Sequence, residues 1–306
     1  MFKAQEMRRL FHLSLKAPGY IELLGCHDVL SALIAFDAGF RNIFLSGYGV
    51  ASAQYGYPDI ELTTQTETVK AAKQICSALN VPVIVDADTG YGGVDSVVRT
   101  LCELEAAGAT GIVLEDQVTP KVCGHSKCKQ VLPLPQFMRK LEAALKVRQP
   151  GTVIIARTDS IDLSDAIARA KAFHAAGADI LLIDGLPSLD AMKRVADEVP
   201  GNKQVNLIQE GKSPVLSAEE LHKKYGFKIV QYSTPTLYIM ANAMQKALKL
   251  LHQAHDLRVV AEESVDLSYF QDFIMAHYNQ RPEQASFSDR ERAENYSLSF
   301  PKRTAS

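Results

Sequence analysis

The sequence has no surplus of positive charge: 33 Lys and Arg stand against 35 Asp and Glu. A surface that neutralises a phosphate backbone needs such a surplus, so no nucleic-acid partner is expected. No run approaches the roughly 18 apolar residues of a membrane span. The opening residues, MFKAQEMRRLFHLSLKAPG, hold no apolar stretch followed by a small-residue cleavage site. A cytoplasmic protein without a membrane partner is therefore expected. Cysteine is scarce and odd in number (Cys26, Cys76, Cys102, Cys123 and Cys128), which gives no dense disulfide framework. Cys123 and Cys128 have no matching Cys or His pair downstream, so a four-ligand zinc site is not expected. No G-x-S-x-G surrounds any serine, which removes the usual setting of a nucleophilic Ser.

What is present is an ordinary globular balance, 47% hydrophobic and 22% charged, with enough apolar surface for a large core. Short apolar or β-branched runs fall at 20–25, 42–45, 82–86, 111–115, 153–157, 180–184, 204–207 and 228–231. Helical spacing fills the intervals at 31–38, 66–79, 96–107, 135–147, 163–176, 189–199, 218–225 and 237–251, several closed by a small-residue turn containing Gly. No G-x-G-x-x-G follows the first run, so eight βα units predict an α/β fold of the closed (β/α)8 TIM-barrel type, not an open dinucleotide-binding sheet. After Leu251 a further helical stretch near 266–277 precedes a polar tail from Arg281 onward, expected to be mobile. The expected organisation is one domain over 1–306, with 252–306 as a C-terminal helical extension.

Catalytic groups of such barrels lie at the C-terminal ends of the strands. The third run ends VIVDADTGYGG and the fourth GIVLEDQ. Asp86 and Asp88, two apart, would point to one side of a continuing strand, and Glu115 and Asp116 would reach the same mouth. Carboxylates gathered there repel one another unless a cation neutralises them, and hard oxygen ligands suit Mg²⁺ or Mn²⁺. A single Asp at a strand end could equally cap the next helix. The fourth loop is long, DQVTPKVCGHSKCKQVLP, as lids often are. Within it Lys121, Cys123 and His125 alternate, and a cationic setting there is expected to lower the Cys123 pKa.

The run PKVCGH resembles the lysine-containing CGH loop of carbon–carbon lyases in the isocitrate lyase and phosphoenolpyruvate mutase superfamily. DADTGYG, LEDQ, GCHDVLSALIAFDAGF, FLSGYGVASAQYGYPD and ARTDS are similar to further segments of that family, and together they cover most of 18–250. The resemblance implies Mg²⁺ held largely through waters by Asp59, Asp86, Asp88 and Glu115. It implies a small-molecule carboxylate substrate bound by Ser46, Gly47, Tyr48, Asp59, Gly124, Arg157 and Asn206. Cys123, with Lys121 and His125, would protonate the departing carbanion, and Glu115 belongs to the catalytic set. A dimer or tetramer exchanging a C-terminal helix between barrels is also implied.

Five positions depart from the family pattern. Asp184 replaces a glutamate one methylene longer, and Phe44 and Tyr48 depart towards the alkylmalate-cleaving members. Ser233 and Pro235 stand where relatives carry Pro and then a hydroxyl, which argues against efficient oxaloacetate hydrolysis. The expected reaction is cleavage of a 2-methylisocitrate-like or alkylmalate-like hydroxy acid to a 2-oxo acid and a carboxylate. A carboxyphosphonoenolpyruvate phosphonomutase, an oxaloacetate hydrolase and a non-catalytic binding barrel remain as alternatives.

Overall fold

The structure is a computed structural model that describes residues 2–126 and 128–280. The polar tail over 281–306 lies outside the described residues. Eight parallel strands close into a barrel in sequence order: β1 Ile21–Cys26, β2 Ile43–Leu45, β3 Val83–Asp86, β4 Gly111–Glu115, β5 Val153–Thr158, β6 Ile180–Ile183, β7 Asn202–Leu207 and β8 Ile229–Tyr232. Each coincides with an expected run to within two residues.

The helices are α1 Phe2–Lys16, α2 Val29–Asp37, α3 Gly47–Val50, α4 Gln65–Ala78, α5 Val94–Ala107, α6 Leu134–Val147, α7 Leu163–Ala176, α8 Leu189–Glu198, α9 Ala218–Tyr225, α10 Pro235–Ala254 and α11 Leu267–Asn279. Their limits are set by local chemistry. Thr64 and Glu67 form a reciprocal capping box at the start of α4, as Ser217 and Glu220 do at α9. Gly108 and Gly177 end α5 and α7 in the left-handed region, at φ 103° and 100°, where a side chain would be strained.

Sequence reasoning missed α1, although Met7, Phe11 and Leu15 recur every fourth residue, the spacing of one helical face. Phe11 is fully buried in a cluster with Ile21, Leu23, Phe44, Ile84 and Val153 from the strands, and Leu15 packs against it. The chain divides into two compact units, Met1–Met244 and Gln245–Ser306. The first holds the barrel; in the second, Asp266 caps α11 by accepting from Tyr269 N at 2.8 Å. No helix among the described residues is long and apolar enough to cross a membrane.

Candidate active site

β3 ends at Asp86, and Asp88 adopts φ 47°, so the two carboxylates do not share a continuing strand as the sequence suggested. A tight turn, with Gly90 also left-handed, folds Asp88 back instead. Asp88 N donates to Asp86 Oδ1 at 3.3 Å, and Tyr91 Oη donates to Asp88 Oδ2 at 3.1 Å. The first turn of α3 closes on this pair. Ser46 caps it through Oγ, which accepts from Gly49 N at 3.1 Å, and a β-carbon on Gly47 would lie 3.2 Å from Asp86 and 3.3 Å from Asp88. Gly47 thus lets bare backbone approach both carboxylates. Tyr48 makes an edge contact with Tyr238, ring centroids 6.4 Å apart.

The fourth loop folds over this mouth from a narrow neck. Gln117 and Val131 form an antiparallel bridge, flanked by hydrogen bonds from Val118 N to Gln130 O and from Leu132 N to Asp116 O. Lys121 is buried with its ammonium 2.5 Å from Asp59 and 2.9 Å from Asp88. Burial opposes its charge, but Asp88, Asp59, Glu115 and Asp86 outweigh that and hold its pKa well above the usual lysine value. The Lys121 amide donates to Glu61 Oε2 at 2.8 Å, and Lys212 N donates to His125 Nδ1 at 2.9 Å.

Cys123 departs from expectation. Burial first, then the charge of Asp59, pushes its thiol pKa up, and Asp184 adds to the effect. Lys121, spent on carboxylates, does not draw it down. The shift favours the neutral thiol over the thiolate.

Glu115 and Arg157 are register partners on β4 and β5. The Arg157 fork, expected to face a substrate carboxylate, grips Asp159 in bidentate fashion at 2.7 and 3.1 Å; it also lies 2.9 Å from Asp184 and 3.2 Å from Glu115. Burial alone would raise the pKa of Asp184, yet Arg157 and His125 hold it far below the carboxylate range. Asn206 Nδ2 donates to Asp184 Oδ1 at 2.9 Å, and His125 Nε2 lies 3.7 Å from the same oxygen. A β-carbon on Gly124 would fall 1.8 Å from Asp184 Oδ2.

The structure thus brings Asp86, Asp88, Asp59, Lys121 and Gly47 together, and Glu115, Arg157, Asp184, Asn206, Gly124 and His125 beside them. Sequence reasoning missed Glu61, Lys129, Asp159 and Lys212. Lys129 is buried against Asp159 at 2.9 Å and the Asp184 carbonyl at 3.1 Å. Only Asp159 carried a signal, being two residues beyond Arg157 on the same side of the strand line.

The carboxylates can be tested for their fit to a divalent cation. Glu115 is fully buried, and neither of its oxygens accepts a hydrogen bond; the Arg157 contact is an ion pair out of hydrogen-bonding alignment. Burial pushes its pKa well above the usual range, and burial followed by Asp88 pushes Asp86 up to about 7. Unsatisfied buried anions that resist ionisation suit a hard cation. Among the described residues no three His, Cys, Asp or Glu side chains converge for direct ligation, so an ion here would have to be held largely through its waters.

A closed (β/α)8 barrel with buried carboxylates at the strand ends and a thiol-bearing loop folded over them has the build of an enzyme for proton chemistry on a small anionic substrate. A family model described as phosphoenolpyruvate phosphomutase matches residues 11–252. The chain is 36% identical over 254 residues to 2,3-dimethylmalate lyase of Eubacterium barkeri, covering 82% of this chain and 88% of that protein. It is 36% identical over 250 residues to 2-methylisocitrate lyase of Halalkalibacterium halodurans, covering 81% and 82%. A crystal structure of 2,3-dimethylmalate lyase superposes with TM-score 0.83 at 29% identity, over 94% of this chain and 96% of that one. The chain belongs to the phosphoenolpyruvate phosphomutase family, within the PEP mutase/isocitrate lyase superfamily, and is an enzyme of the lyase type.

Proposed function

We propose that this enzyme is a magnesium-dependent carbon–carbon lyase, with Mn²⁺ as a substitute ion. It cleaves an alkylmalate-like or 2-methylisocitrate-like hydroxy acid into pyruvate or another 2-oxo acid and a carboxylate. The observation that carries this reading is the loop bearing Cys123, seated over the strand-end carboxylates by Lys121 against Asp59 and Asp88.

Asp86, Asp88 and Glu115, with Asp59 close by, would hold the ion through waters. When bound, it supplies Lewis-acid polarisation of the substrate hydroxyl and of the carbonyl that forms from it. Glu115, ionised when the cation is bound, would take the hydroxyl proton. The carbon–carbon bond then breaks, its electron pair passing into the departing carboxylate as an enolate. Cys123 S–H delivers a proton to that carbon, and the thiolate regains one by way of solvent as Glu115 releases its own. Ser46, Gly47 and Tyr48 line the carboxylate side, Gly124 and Asn206 the opposite side, and Arg157 supplies positive charge between them. Lys121 and His125 hold the loop over the reacting atoms, and exclusion of bulk water protects the carbanion.

The test is a panel of alkylmalates, 2-methylisocitrate and oxaloacetate with Mg²⁺, scored by release of 2-oxo acid. Phosphorus NMR on a phosphonate, showing turnover there and none with any hydroxy acid, would move the assignment to a phosphonomutase. A homo-oligomer is part of the proposal, supported by the exposed apolar side chains of Ile239, Met244 and Leu248 on α10. Light scattering that shows only monomer would remove it.

A further inference from the structure

Beneath Asp184 the barrel interior holds a chain of buried polar side chains, of which the proposed chemistry uses only Asn206. Gln204 Nε2 donates to Gln231 Oε1 at 2.7 Å, and Gln231 Nε2 donates to Ser233 Oγ at 2.6 Å and to Asn206 Oδ1 at 3.3 Å. Ser233 Oγ donates to Asn206 Oδ1 at 2.5 Å, and Asn206 Nδ2 donates to Asp184 Oδ1 at 2.9 Å. Gln204, Gln231, Ser233 and Asn206 are all more than nine-tenths buried. Asn206 and Gln231 are register partners on β7 and β8, so the strand pairing itself brings the two amides side by side.

The donors in this chain all run one way. A hydroxyl has one proton, and Ser233 receives a hydrogen bond from Gln231, so its proton goes to the Asn206 oxygen. Two donors therefore fix that oxygen inward and turn the Asn206 amide N–H towards the mouth. With the amide reversed, its oxygen would face the Asp184 carboxylate and its N–H would face two donors, leaving buried groups unpaired. The carboxylate aimed in this way is the floor of the covering loop: Gly124 packs on one of its oxygens and His125 faces the other.

We infer that Gln231 and Ser233 are positioning residues: they lock the Asn206 amide and, through it, the Asp184 carboxylate on which the Cys123 loop closes. Asn206 then presents a hydrogen-bond donor, not an acceptor, to the mouth, so the group it recognises on the substrate is an acceptor oxygen. The last point rests on the proposed lyase reading; the loop-locking role does not.

The experiment is Ser233→Ala in the full-length protein, with Ser233→Thr as the variant that keeps a hydroxyl. Iodoacetamide labelling of each cysteine is followed by peptide mass spectrometry, alongside kcat and KM on the best hydroxy acid. The expected result for Ser233→Ala is labelling of Cys123 faster by about tenfold and kcat lower by a similar factor. Cys26 and Cys76, buried in the barrel unit, should remain as slow as before, and Ser233→Thr should restore the Cys123 rate. Unchanged labelling of Cys123 would overturn the inference. So would parallel acceleration at Cys26 and Cys76, which would mean general loosening. Should no hydroxy acid be cleaved by the wild type, the lyase reading fails while the labelling still decides the locking role.

Discussion

Gly124 and Asp184 lie so close that a β-carbon on the glycine would fall 1.8 Å from a carboxylate oxygen and 2.2 Å from an Arg157 nitrogen. Neither neighbour can withdraw, because Asp184 is tied to Arg157 and Asn206. Gly124→Ala should therefore keep the loop from seating. A misplacement of about 1 Å can cost on the order of a hundredfold in rate, so kcat should fall by about that factor while the melting temperature stays near wild type. Steady-state kinetics and a thermal melt check this; full activity in the variant would mean that the loop does not close on Asp184.

Cys123→Ser keeps the shape of the donor but not its acidity. The turnover number should fall by about 10²–10⁴-fold, the usual contribution of a positioned general acid, while Mg²⁺ binding measured by calorimetry is unchanged. A variant as active as the wild type would contradict the proton-donor role.

The carboxylate cluster sets a pH dependence. Burial, then Asp88, pushes Asp86 up to about 7, above its unfolded value of about 4. Between those values the folded state holds a proton that the unfolded state has lost. The Asp86 contribution to the stability of the metal-free protein thus declines as pH rises from about 4 to about 7. Mg²⁺ competes for the same carboxylate, so its affinity should rise over that interval with release of protons. Calorimetry in buffers of different ionisation enthalpy measures this, and an affinity independent of pH would refute it.

Phe11→Ala should test the packing of α1. Removing a fully buried phenyl ring costs about 3–5 kcal/mol, and Phe11 is 0% exposed among strand residues. Urea unfolding should show that loss, with KM for the substrate unaffected because the mouth residues lie at the other end of the strands.

The barrel was legible because strand and helix periods alternate eight times with glycine punctuation, and the carboxylates Asp86 and Glu115 because they end strands. What escaped was geometry created by turns and loops. The pairing of Asp88 with Asp86 comes from a left-handed turn, which spacing alone cannot reveal. The raised thiol pKa of Cys123 comes from its burial and from the charge of Asp59, which lies far away in sequence. Glu61 and Lys212 meet the fourth loop only after folding, and Lys129, within that loop, reaches Asp159 only then, so no local pattern announces them.

The Phe11 cluster gives the barrel the character of a cup with a stopper. With an aromatic side chain wedged among strand residues, that end of the packed barrel is closed, and on the proposed reading acid, products and protons would pass only by the rim. Sealing one end in this way makes a single moving segment sufficient to isolate the reaction chamber.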